Sequence, residues 1–598
     1  MLKDLPFDLE SLRAAYARGA SVADVVREVY RRIEAVNDPG IFITLRSIAD
    51  VLEDAAGLGA RSNSDRPLWG IPFVIKDNID AAGMPTTAAC PAYAYGAADD
   101  AQCVQLLRNA GALLVGKTNL DQFATGLVGV RTPYPVPRNA IDPKLVPGGS
   151  SSGSAVAVAQ GLVTFSLGTD TAGSGRVPAG LNNIVGLKPT LGAISARGVV
   201  PACRTLDTVS VFALSVDDAY EIAQIMARFD ADDAYSRSVR FPPLAALPPH
   251  LRVGVPDPQS LRFFGDGQQK SAFQAAIEAA RSIGGTTVEI DLSPFYDVAN
   301  LLYTGSWIAE RYTVTADLLE ASPEAVHPTT RAVVEIATGM SAADAFRDRY
   351  RLAELRRRIE PVLSTIDLLM VPTYPAVVTL DQIAVDPITP NAQLGTYTNF
   401  VNLLDLCGIA VPAPARADGL PGTVTLLAQA GRDALAASFG RAMHENTAST
   451  VGGVGWAVHV RTASSPVPCD DEIELAVVGA HMSGLPLNGE LTRLGARFLR
   501  TARTAPDYRL YALAGGPPHR PGLIRTSDGQ SIELETWALP KSNFGAFMAG
   551  VPQPLGIGTL TLDSNEKVKG FLCEAIAIEG AEDVTRYGGW RAYLAAGQ

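Results

Sequence analysis

Two glycine-rich turns between residues 147 and 189 carry serines that could act as nucleophiles. Ser150 lies in PGGSSSGSA, and Ser174 follows 24 residues later in GTDTAGSGR. Glycine lets backbone N–H groups approach a ligand closely, and adjacent N–H groups in such a turn can bind a developing oxyanion. By composition alone, a structural turn is the more common explanation of both segments. The first turn lacks the GxxxxGK[ST] arrangement, which disfavours a nucleotide-binding P-loop.

A serine nucleophile needs a base, and no histidine is close to these turns in the sequence. The six histidines begin at His250, after both turns. Lys76 directly follows the apolar run IPFVI, which predicts the end of a buried strand. Burial can lower the pKa of a lysine far enough for the amine to act as a base. The alternative is a surface lysine whose stem lies along apolar residues.

Strands that alternate with helices must position these groups. The run GIPFVIK predicts a strand, and VQLLRNAGALLVGKTN and GSAVAVAQGLVTFSLGTD each predict a helix followed by a strand. This alternation predicts an α/β fold in which a large domain, residues 1–450, has a mixed β-sheet covered by helices. After a linker at residues 451–468, short strands predict a smaller β-rich α+β domain at residues 469–598.

Composition excludes several functional classes. Apolar residues make up 47% of the 598 residues and the net charge is −12, which disfavours binding to nucleic acid or to an anionic membrane. We find no uncharged apolar run of membrane-spanning length and no apolar leader, so neither a membrane span nor a signal peptide is expected. Six scattered cysteines suit the reducing cytoplasm. No cluster of metal-ligating residues is evident, so neither a metal nor another cofactor is expected.

Residues 65–215 resemble the amidase signature family. The matching segments are GIPFVIKDNID, GALLVGKTNLDQFATG, PGGSSSGSA and GTDTAGSGRVPA, in the order and spacing typical of that family. The resemblance implies that Ser174 is the nucleophile, Ser150 a bridging serine after a cis peptide bond, and Lys76 the terminal base. Asp170 and Arg176 are expected to support the loop. The implied oxyanion hole consists of the backbone N–H groups of Thr171, Ala172, Gly173 and Ser174.

The same two serine turns are similar to the allophanate hydrolase branch of the family. Tyr303 and Arg311 are eight residues apart, so one continuous helix would carry both on one face, although helix packing alone explains that spacing equally well. The resemblance implies that both residues bind the substrate and that Gly126 lines the same pocket. A guanidinium suits the carboxylate of allophanate because it can donate two parallel hydrogen bonds. The implied reaction releases ammonia from allophanate and leaves N-carboxycarbamate.

The segments ELAVVGAHMSGLPLNGEL and SNFGAFMAGVPQPLGIGTLTL resemble the C-terminal domain of allophanate hydrolases. That resemblance implies a γ-glutamylcyclotransferase-like fold and decarboxylation of N-carboxycarbamate, so that two ammonia and two carbon dioxide result overall. We predict His481 as the catalytic residue there, because histidine titrates near neutral pH. A structural histidine is the alternative.

Other functions remain open at this point. A malonamidase-like amidase or an amidotransferase A-type subunit would share the first domain, and the small domain could be only a dimerisation or docking module. We expect a homodimer. A separate urea carboxylase, or a triazine-degradation pathway, would have to supply the allophanate.

Overall fold

Buried apolar runs and polar N-caps determine where the strands and helices lie. The structure is a computed structural model that describes residues 2–60, 66–447, 450–458 and 467–597. Pro72–Lys76 and Phe165–Thr169 are fully buried strands, as their apolar runs predict. Ser21 and Ser341 each begin a helix with a capping box, in which an aspartate three residues later bonds back to the cap.

Within the described residues, the α-helices are numbered α1 to α18 in chain order. They are Leu9–Ala17, Val22–Val36, Ile48–Gly57, Gln102–Asn109, Ser152–Ala159, Val177–Leu181, Val216–Met226, Gly267–Ser282, Ser293–Thr304, Trp307–Ala321, Pro328–Val334, Ala342–Ser364, Leu380–Val385, Thr389–Leu394, Asp433–Thr447, Asn488–Arg493, Lys541–Ala549 and Trp590–Ala596.

The strands of the same residues are numbered β1 to β23. They are Phe42–Leu45, Pro72–Lys76, Pro85–Thr86, Tyr95–Gly96, Leu113–Thr118, Phe165–Thr169, Val185–Lys188, Val209–Ala213, Leu251–Pro256, Gly285–Ile290, Leu368–Pro372, Leu406–Ala413, Gly422–Gln429, Thr450–Val451, Trp456–Ala457, Glu472–Val477, Arg497–Arg503, Tyr508–Ala512, Pro521–Arg525, Glu533–Pro540, Leu555–Thr561, Lys567–Cys573 and Glu582–Asp583.

One mixed sheet of eleven strands organises the first part of the chain. Its order is β1-β5-β2-β6-β8-β7-β12-β13-β11-β9-β10, and helices α5, α7 and α15 pack on it. The predicted α/β fold with a mixed sheet and covering helices is therefore confirmed. Strand β2 lies between β5 and β6 and runs parallel to both. Since parallel strands end at the same edge of a sheet, Lys76 and Thr169 reach that edge together.

The chain divides into two compact units. The first comprises Met1–Phe241, Val253–Ile283 and Thr287–Val460, and the second comprises Pro242–Arg252, Gly284–Thr286 and Arg461–Gln598. Two short segments before residue 450 therefore belong to the second unit, which differs from the predicted division into two continuous domains. Such long-range assignments depend on tertiary packing and have no local sequence signal.

Part of the predicted linker belongs to the first unit. Strands β14 and β15 pair as a hairpin, and the N–H groups of Gly452 and Gly453 donate to the carbonyls of Asn183 and Ala159. Residues 459–466 of the predicted linker lie outside the described residues.

The second unit is rich in short strands, as predicted. A five-stranded sheet has the order β17-β20-β16-β22-β21, and a three-stranded sheet has the order β19-β18-β23. Their shared core includes Leu475, Tyr508, Trp537 and Trp590. In neither unit does a helix of the described residues combine the length and the apolar character that crossing a bilayer requires.

Candidate active site

Lys76 ends strand β2 with its ammonium group fully buried. Its Nζ donates to Ser150 Oγ and to Thr169 Oγ1, both at 2.7 Å. Burial lowers the pKa of Lys76 to about 7, although the charges of nearby aspartates, Asp121 the largest, act in the opposite direction. At neutral pH a large fraction of this amine is therefore uncharged and can accept a proton.

Ser150 is held by a loop that wraps around Asp121. The peptide bond between Gly149 and Ser150 is cis, as the family resemblance implies. The Ser150 carbonyl accepts from the N–H of Asp121 at 3.0 Å, and the Gly149 N–H donates to the Leu127 carbonyl at 2.7 Å. A Cβ atom on Gly149 would lie 1.9 Å from Asp121 Oδ2, so only glycine fits there. The loop thereby fixes the Ser150 hydroxyl beside Lys76.

Ser174 lies in the turn between β6 and α6 and is 3% exposed. The carboxylate of Asp170 accepts from the N–H groups on both sides of it, Gly173 at 2.8 Å and Gly175 at 3.1 Å. Arg176 donates to the same carboxylate through Nε at 2.8 Å and Nη2 at 3.0 Å. Burial alone would raise the pKa of Asp170, but the Arg176 charge lowers it below its usual value. A fully ionised aspartate therefore shapes the serine turn.

Backbone N–H groups around Ser174 differ in their availability. Of the four N–H groups predicted for the oxyanion hole, that of Gly173 already donates to Asp170 Oδ1 at 2.8 Å. In the described parts of the chain, no acceptor binds the N–H groups of Thr171, Ala172 or Ser174. Gly173 has φ +136°, and a Cβ there would lie 2.4 Å from Thr398 Oγ1, so this turn requires glycine. The N–H groups of Thr171, Ala172 and Ser174 are therefore the predicted oxyanion donors without an acceptor among the described residues.

Asp207 and Asn402 hold the same turn from its other side. The Asp207 carboxylate accepts from the Thr171 hydroxyl and, at 2.7 Å, from the Ala202 N–H. Asn402 Nδ2 donates to the carbonyls of Asp170 at 2.8 Å and Thr171 at 3.0 Å. Because Asn402 binds both carbonyls, the orientation of the turn is determined before any ligand binds.

Arg311 supplies a buried positive charge with free hydrogen-bond donors. It is 2% exposed, and its Nη1 donates to Thr125 Oγ1 at 3.2 Å and to the Ala124 carbonyl at 3.4 Å. Its Nε and Nη2 are buried and have no partner among the described residues. The Tyr303 ring centre lies 5.2 Å from the guanidinium carbon. Unpaired buried donors on a cation favour the binding of an anion.

Tyr303 and Arg311 do not share one helix, which corrects the prediction of a continuous helical face. Helix α9 ends at Thr304, and α10 begins at Trp307. Gly305 is extended between them, and the Ser306 N–H donates to Asp348 Oδ2 at 2.7 Å instead of continuing the helix. The two side chains are brought together by packing of the two helices.

Gly126 follows the two residues that Arg311 binds. A Cβ atom there would lie 2.5 Å from Asp121 Oδ2. The same carboxylate accepts from the N–H groups of Gly129 and Arg131, both at 2.9 Å. Any side chain at position 126 would therefore displace the aspartate around which the Ser150 loop is built.

His481 lies in the second unit between two aromatic rings. Its ring stacks on Phe571 at a centroid distance of 5.1 Å and meets the edge of Phe547 at 5.4 Å. Its Nε2 is 3.0 Å from Glu490 Oε2. Burial lowers the pKa of His481, the Glu490 carboxylate raises it, and the charge of Arg520 lowers it further. The imidazole is thus a titratable group in an apolar wall, with one carboxylate partner.

Glu535 is a buried acidic group of this unit, and both of its carboxylate oxygens accept hydrogen bonds. It accepts from the N–H of Ser483 at 2.7 Å, from the Ser483 hydroxyl at 2.7 Å, from Trp537 Nε1 at 3.2 Å and from Arg591 Nη2 at 2.7 Å. Four donors leave no free lone pair for a substrate proton. Glu535 therefore stabilises the fold.

Comparison with known proteins assigns the first unit to a family. A family model described as Amidase matches residues 24–436. The chain belongs to the amidase family. A second model, described as Allophanate hydrolase C-terminal domain, matches residues 473–595.

Similar proteins cover this amidase over nearly its whole length. Urea amidolyase from Saccharomyces cerevisiae is 44% identical over 577 residues, which are 92% of this chain and 31% of that protein. Urea amidolyase from Lachancea kluyveri is 42% identical and covers 94% of this chain and 31% of its own length. The chain therefore spans about a third of the length of these two curated relatives. A solved allophanate hydrolase structure from Kluyveromyces lactis has a TM-score of 0.78 and 39% identity, with 99% of this chain and 100% of that chain covered.

Several site residues of this amidase were missed by sequence reasoning. Thr169 accepts from Lys76 together with Ser150, and its place at the end of a strand just before the serine turn was a usable signal. Asp121 and Asp207 had no such signal, because the fold alone brings Asp121 to the Ser150 carbonyl and Asp207 to the Thr171 hydroxyl. In the described structure, His327 of the first unit accepts from the Thr329 N–H at its own helix start and forms no hydrogen bond with Ser174.

Proposed function

We propose that this amidase hydrolyses allophanate, a urea that carries one carboxylate. The observation that carries the proposal is Arg311, a buried guanidinium with two unpaired N–H groups. It binds the turn that precedes Gly126, in the loop that also positions Ser150. A planar carboxylate satisfies both free donors at once, and Tyr303 lies beside the same guanidinium.

The first reaction uses Ser174, Ser150 and Lys76 as a proton relay. Uncharged Lys76 accepts a proton from Ser150 while Ser150 accepts the proton of Ser174, whose Oγ attacks the carboxamide carbon. The N–H groups of Thr171, Ala172 and Ser174 bind the oxyanion; losing one such donor costs about 3–4 kcal/mol of transition-state stabilisation. The relay returns the proton to the leaving nitrogen, and ammonia departs.

Water then completes the first reaction. It attacks the acyl group on Ser174, with the same relay as general base, and the product is N-carboxycarbamate. Allophanate and one water thus give ammonium and a dicarboxylate. The organic product carries one more negative charge than the substrate, and a second reaction that releases carbon dioxide from the dicarboxylate removes that charge.

The second reaction is assigned to His481. In N-carboxycarbamate, one N–C bond breaks, carbon dioxide leaves, and the electron pair remains on nitrogen, which takes a proton. Protonated His481 supplies that proton, and Glu490 stabilises the protonated imidazole at 3.0 Å. Carbamate then breaks down in water to a second ammonia and a second carbon dioxide. The match of residues 473–595 to the allophanate hydrolase C-terminal model supports this assignment.

Substrate charge provides the test of the first reaction. Ammonia release from allophanate and from uncharged malonamide is compared for the wild type, Arg311→Met and the exposed control Arg357→Met. Loss of the buried cation should reduce kcat/KM for allophanate about 10²- to 10³-fold and leave malonamide within a few-fold. Equal losses on both amides would contradict carboxylate recognition by Arg311.

A different function of the second unit is that of a dimerisation or docking module without chemistry. The position of His481 between two phenyl rings suits a packed structural histidine as well. A full-length His481→Asn chain that consumes N-carboxycarbamate at the wild-type rate would favour the docking module.

The remaining expectations concern the setting of the enzyme. We propose a cytoplasmic homodimer that receives allophanate from a separate urea carboxylase. The likeness to urea amidolyase over about a third of that protein supports the urea connection. Light scattering of the full chain should give twice the mass of one chain, and growth on urea should require both the carboxylase and this chain.

A further inference from the structure

A second unpaired guanidinium lies in the C-terminal unit. Arg520 directly precedes strand β19, and its Nε is buried with no hydrogen-bond partner among the described residues. Across the parts of the chain that the structure describes, no carboxylate forms an ion pair with it. Other arginines of this unit are paired: Arg497 with Glu472, Arg500 with Glu474 and Arg591 with Glu535. A partly buried cation without a counter-charge is unfavourable unless a ligand supplies one.

Packing brings Arg520 close to His481. Gly479 lies two residues before His481, and a Cβ atom on Gly479 would be 2.3 Å from Cδ of Pro521, the residue after Arg520. The charge of Arg520 also acts on the imidazole, since it lowers the pKa of His481 after the larger effect of burial. A cation, a titratable imidazole and the Phe571 ring therefore share one side of this unit.

We propose that Arg520 binds one carboxylate of a small dicarboxylate, whose other carboxylate is lost as carbon dioxide beside His481. The inference rests on the proposed decarboxylation and names the residue that recognises its substrate. The dicarboxylate is the product of the first reaction and carries two negative charges. The guanidinium pairs with the carboxylate that is retained. The second carboxylate then lies in the apolar surroundings of Phe571 and Phe547, where its loss as uncharged carbon dioxide is favourable.

The step is balanced by one proton. The N–C bond to the unbound carboxylate breaks, carbon dioxide leaves, and nitrogen keeps the electron pair and takes the proton of His481. The carboxylate paired with Arg520 becomes the carboxylate of carbamate. No oxidant, reductant or cofactor is required.

Carbon-13 NMR of labelled allophanate turnover tests the inference in the full-length chain. Ammonia release and the decay of N-carboxycarbamate are followed for the wild type, Arg520→Met, Arg520→Lys and His481→Asn. The control is Arg525→Met, an exposed arginine of the same strand region that pairs with Asp507. For Arg520→Met we expect the first release of ammonia to be unchanged. The catalysed decay of N-carboxycarbamate should be about 10- to 100-fold slower, because a charged hydrogen bond is lost. Arg520→Lys should recover part of the rate.

A second measurement does not depend on catalysis. Malonate has a CH₂ group in place of the NH of N-carboxycarbamate, and its binding is measured by calorimetry in an Arg311→Met chain, which lacks the carboxylate-binding arginine of the first unit. Adding Arg520→Met should weaken the remaining binding about 10- to 100-fold. Because Arg520 has no partner to leave unpaired, both chains should have the same melting temperature.

The outcomes separate the two proposals. If His481→Asn slows decay and Arg520→Met affects neither decay nor malonate binding, the role of Arg520 is overturned and the decarboxylase function stands. If neither variant slows decay, the decarboxylase function fails. Malonate binding that is lost in Arg520→Met would then support the dicarboxylate site alone.

Discussion

Lys76 in the first unit is a fully buried titratable group, His481 in the second is a partly buried one, and their surroundings differ in kind. Lys76 contacts hydroxyl groups from two chain segments, with three aspartates nearby. His481 has one carboxylate partner, two phenyl rings and a nearby guanidinium. The first arrangement suits passing a proton along hydroxyls, and the second suits giving one proton to an anion in an apolar wall. Three predictions test this difference, and a fourth tests the stability of the first unit.

Replacing Ser174, the proposed nucleophile, should separate the two sites completely. Ser174→Ala should lower the first ammonia release by about 10⁶-fold, the size of a lost serine nucleophile, and leave the second site intact. Mixing Ser174→Ala with His481→Asn should restore the decay of N-carboxycarbamate, because one chain makes the dicarboxylate and the other consumes it. Ammonia assays and NMR on the single and mixed chains measure this, with exposed Ser271→Ala as control. A mixture no faster than His481→Asn alone would contradict two independent sites.

Removing the lysine should affect the first site only and change its pH profile. Lys76→Met should reduce the first reaction about 10²- to 10⁴-fold, the usual contribution of a general base. In the wild type, kcat/KM should rise as pH passes through about 7, because the amine must lose its proton to act. Exposed Lys144→Met should keep the wild-type profile. A wild-type profile that is flat between pH 6 and 8 would exclude Lys76 as the base.

Neutralising the partner of His481 should affect the second site only. Glu490→Gln removes the charge that raises the pKa of His481, so less of the imidazole is protonated at neutral pH. We expect N-carboxycarbamate decay to slow by about 3- to 10-fold and its pH optimum to become more acidic. NMR at several pH values measures both, with exposed Glu579→Gln as control. An unchanged optimum would show that His481 does not supply the proton.

The smallest effect concerns the stability of the first unit. His444 is 2% exposed, and burial lowers its pKa to about 4, below the usual value of 6.5. Between these two pH values the unfolded chain binds a proton at His444 and the folded chain does not. The free energy of unfolding is therefore at its full value above pH 6.5 and decreases as the pH is lowered, by about 2 kcal/mol at pH 5. Thermal melts at pH 7 and pH 5 should show a smaller acid shift for His444→Leu. Equal shifts would show that His444 is not a source of the acid sensitivity.

Local motifs explain why the residues proposed for the first site are recognisable in the sequence. Lys76 follows an apolar run, and Ser150 and Ser174 lie in glycine-rich turns, so each signal lies within a few residues of the side chain it concerns. The turn at Gly173 illustrates the limit of such signals. The motif shows that glycine is needed, but only the fold shows that its N–H is taken by Asp170.

The site proposed in the second unit has weaker sequence signals, because its residues come from separated segments. His481, Arg520 and Phe571 lie on three different parts of the C-terminal chain. Nothing near Arg520 in the sequence marks it as unpaired, since pairing depends on which carboxylates the fold brings near.

The sequence by itself determined the α/β fold with its β-rich tail, the family and the three residues that we propose as the relay. These follow from apolar periodicity and from motifs whose residues are neighbours in the chain. Tertiary structure alone decided that Lys76 donates to Thr169 as well as to Ser150. It also decided that two helices bring Tyr303 to Arg311, and that Arg311 and Arg520 keep donors without a partner among the described residues. The reason is physical: burial, pKa and the pairing of charges are properties of distances in space, which the order of residues does not contain.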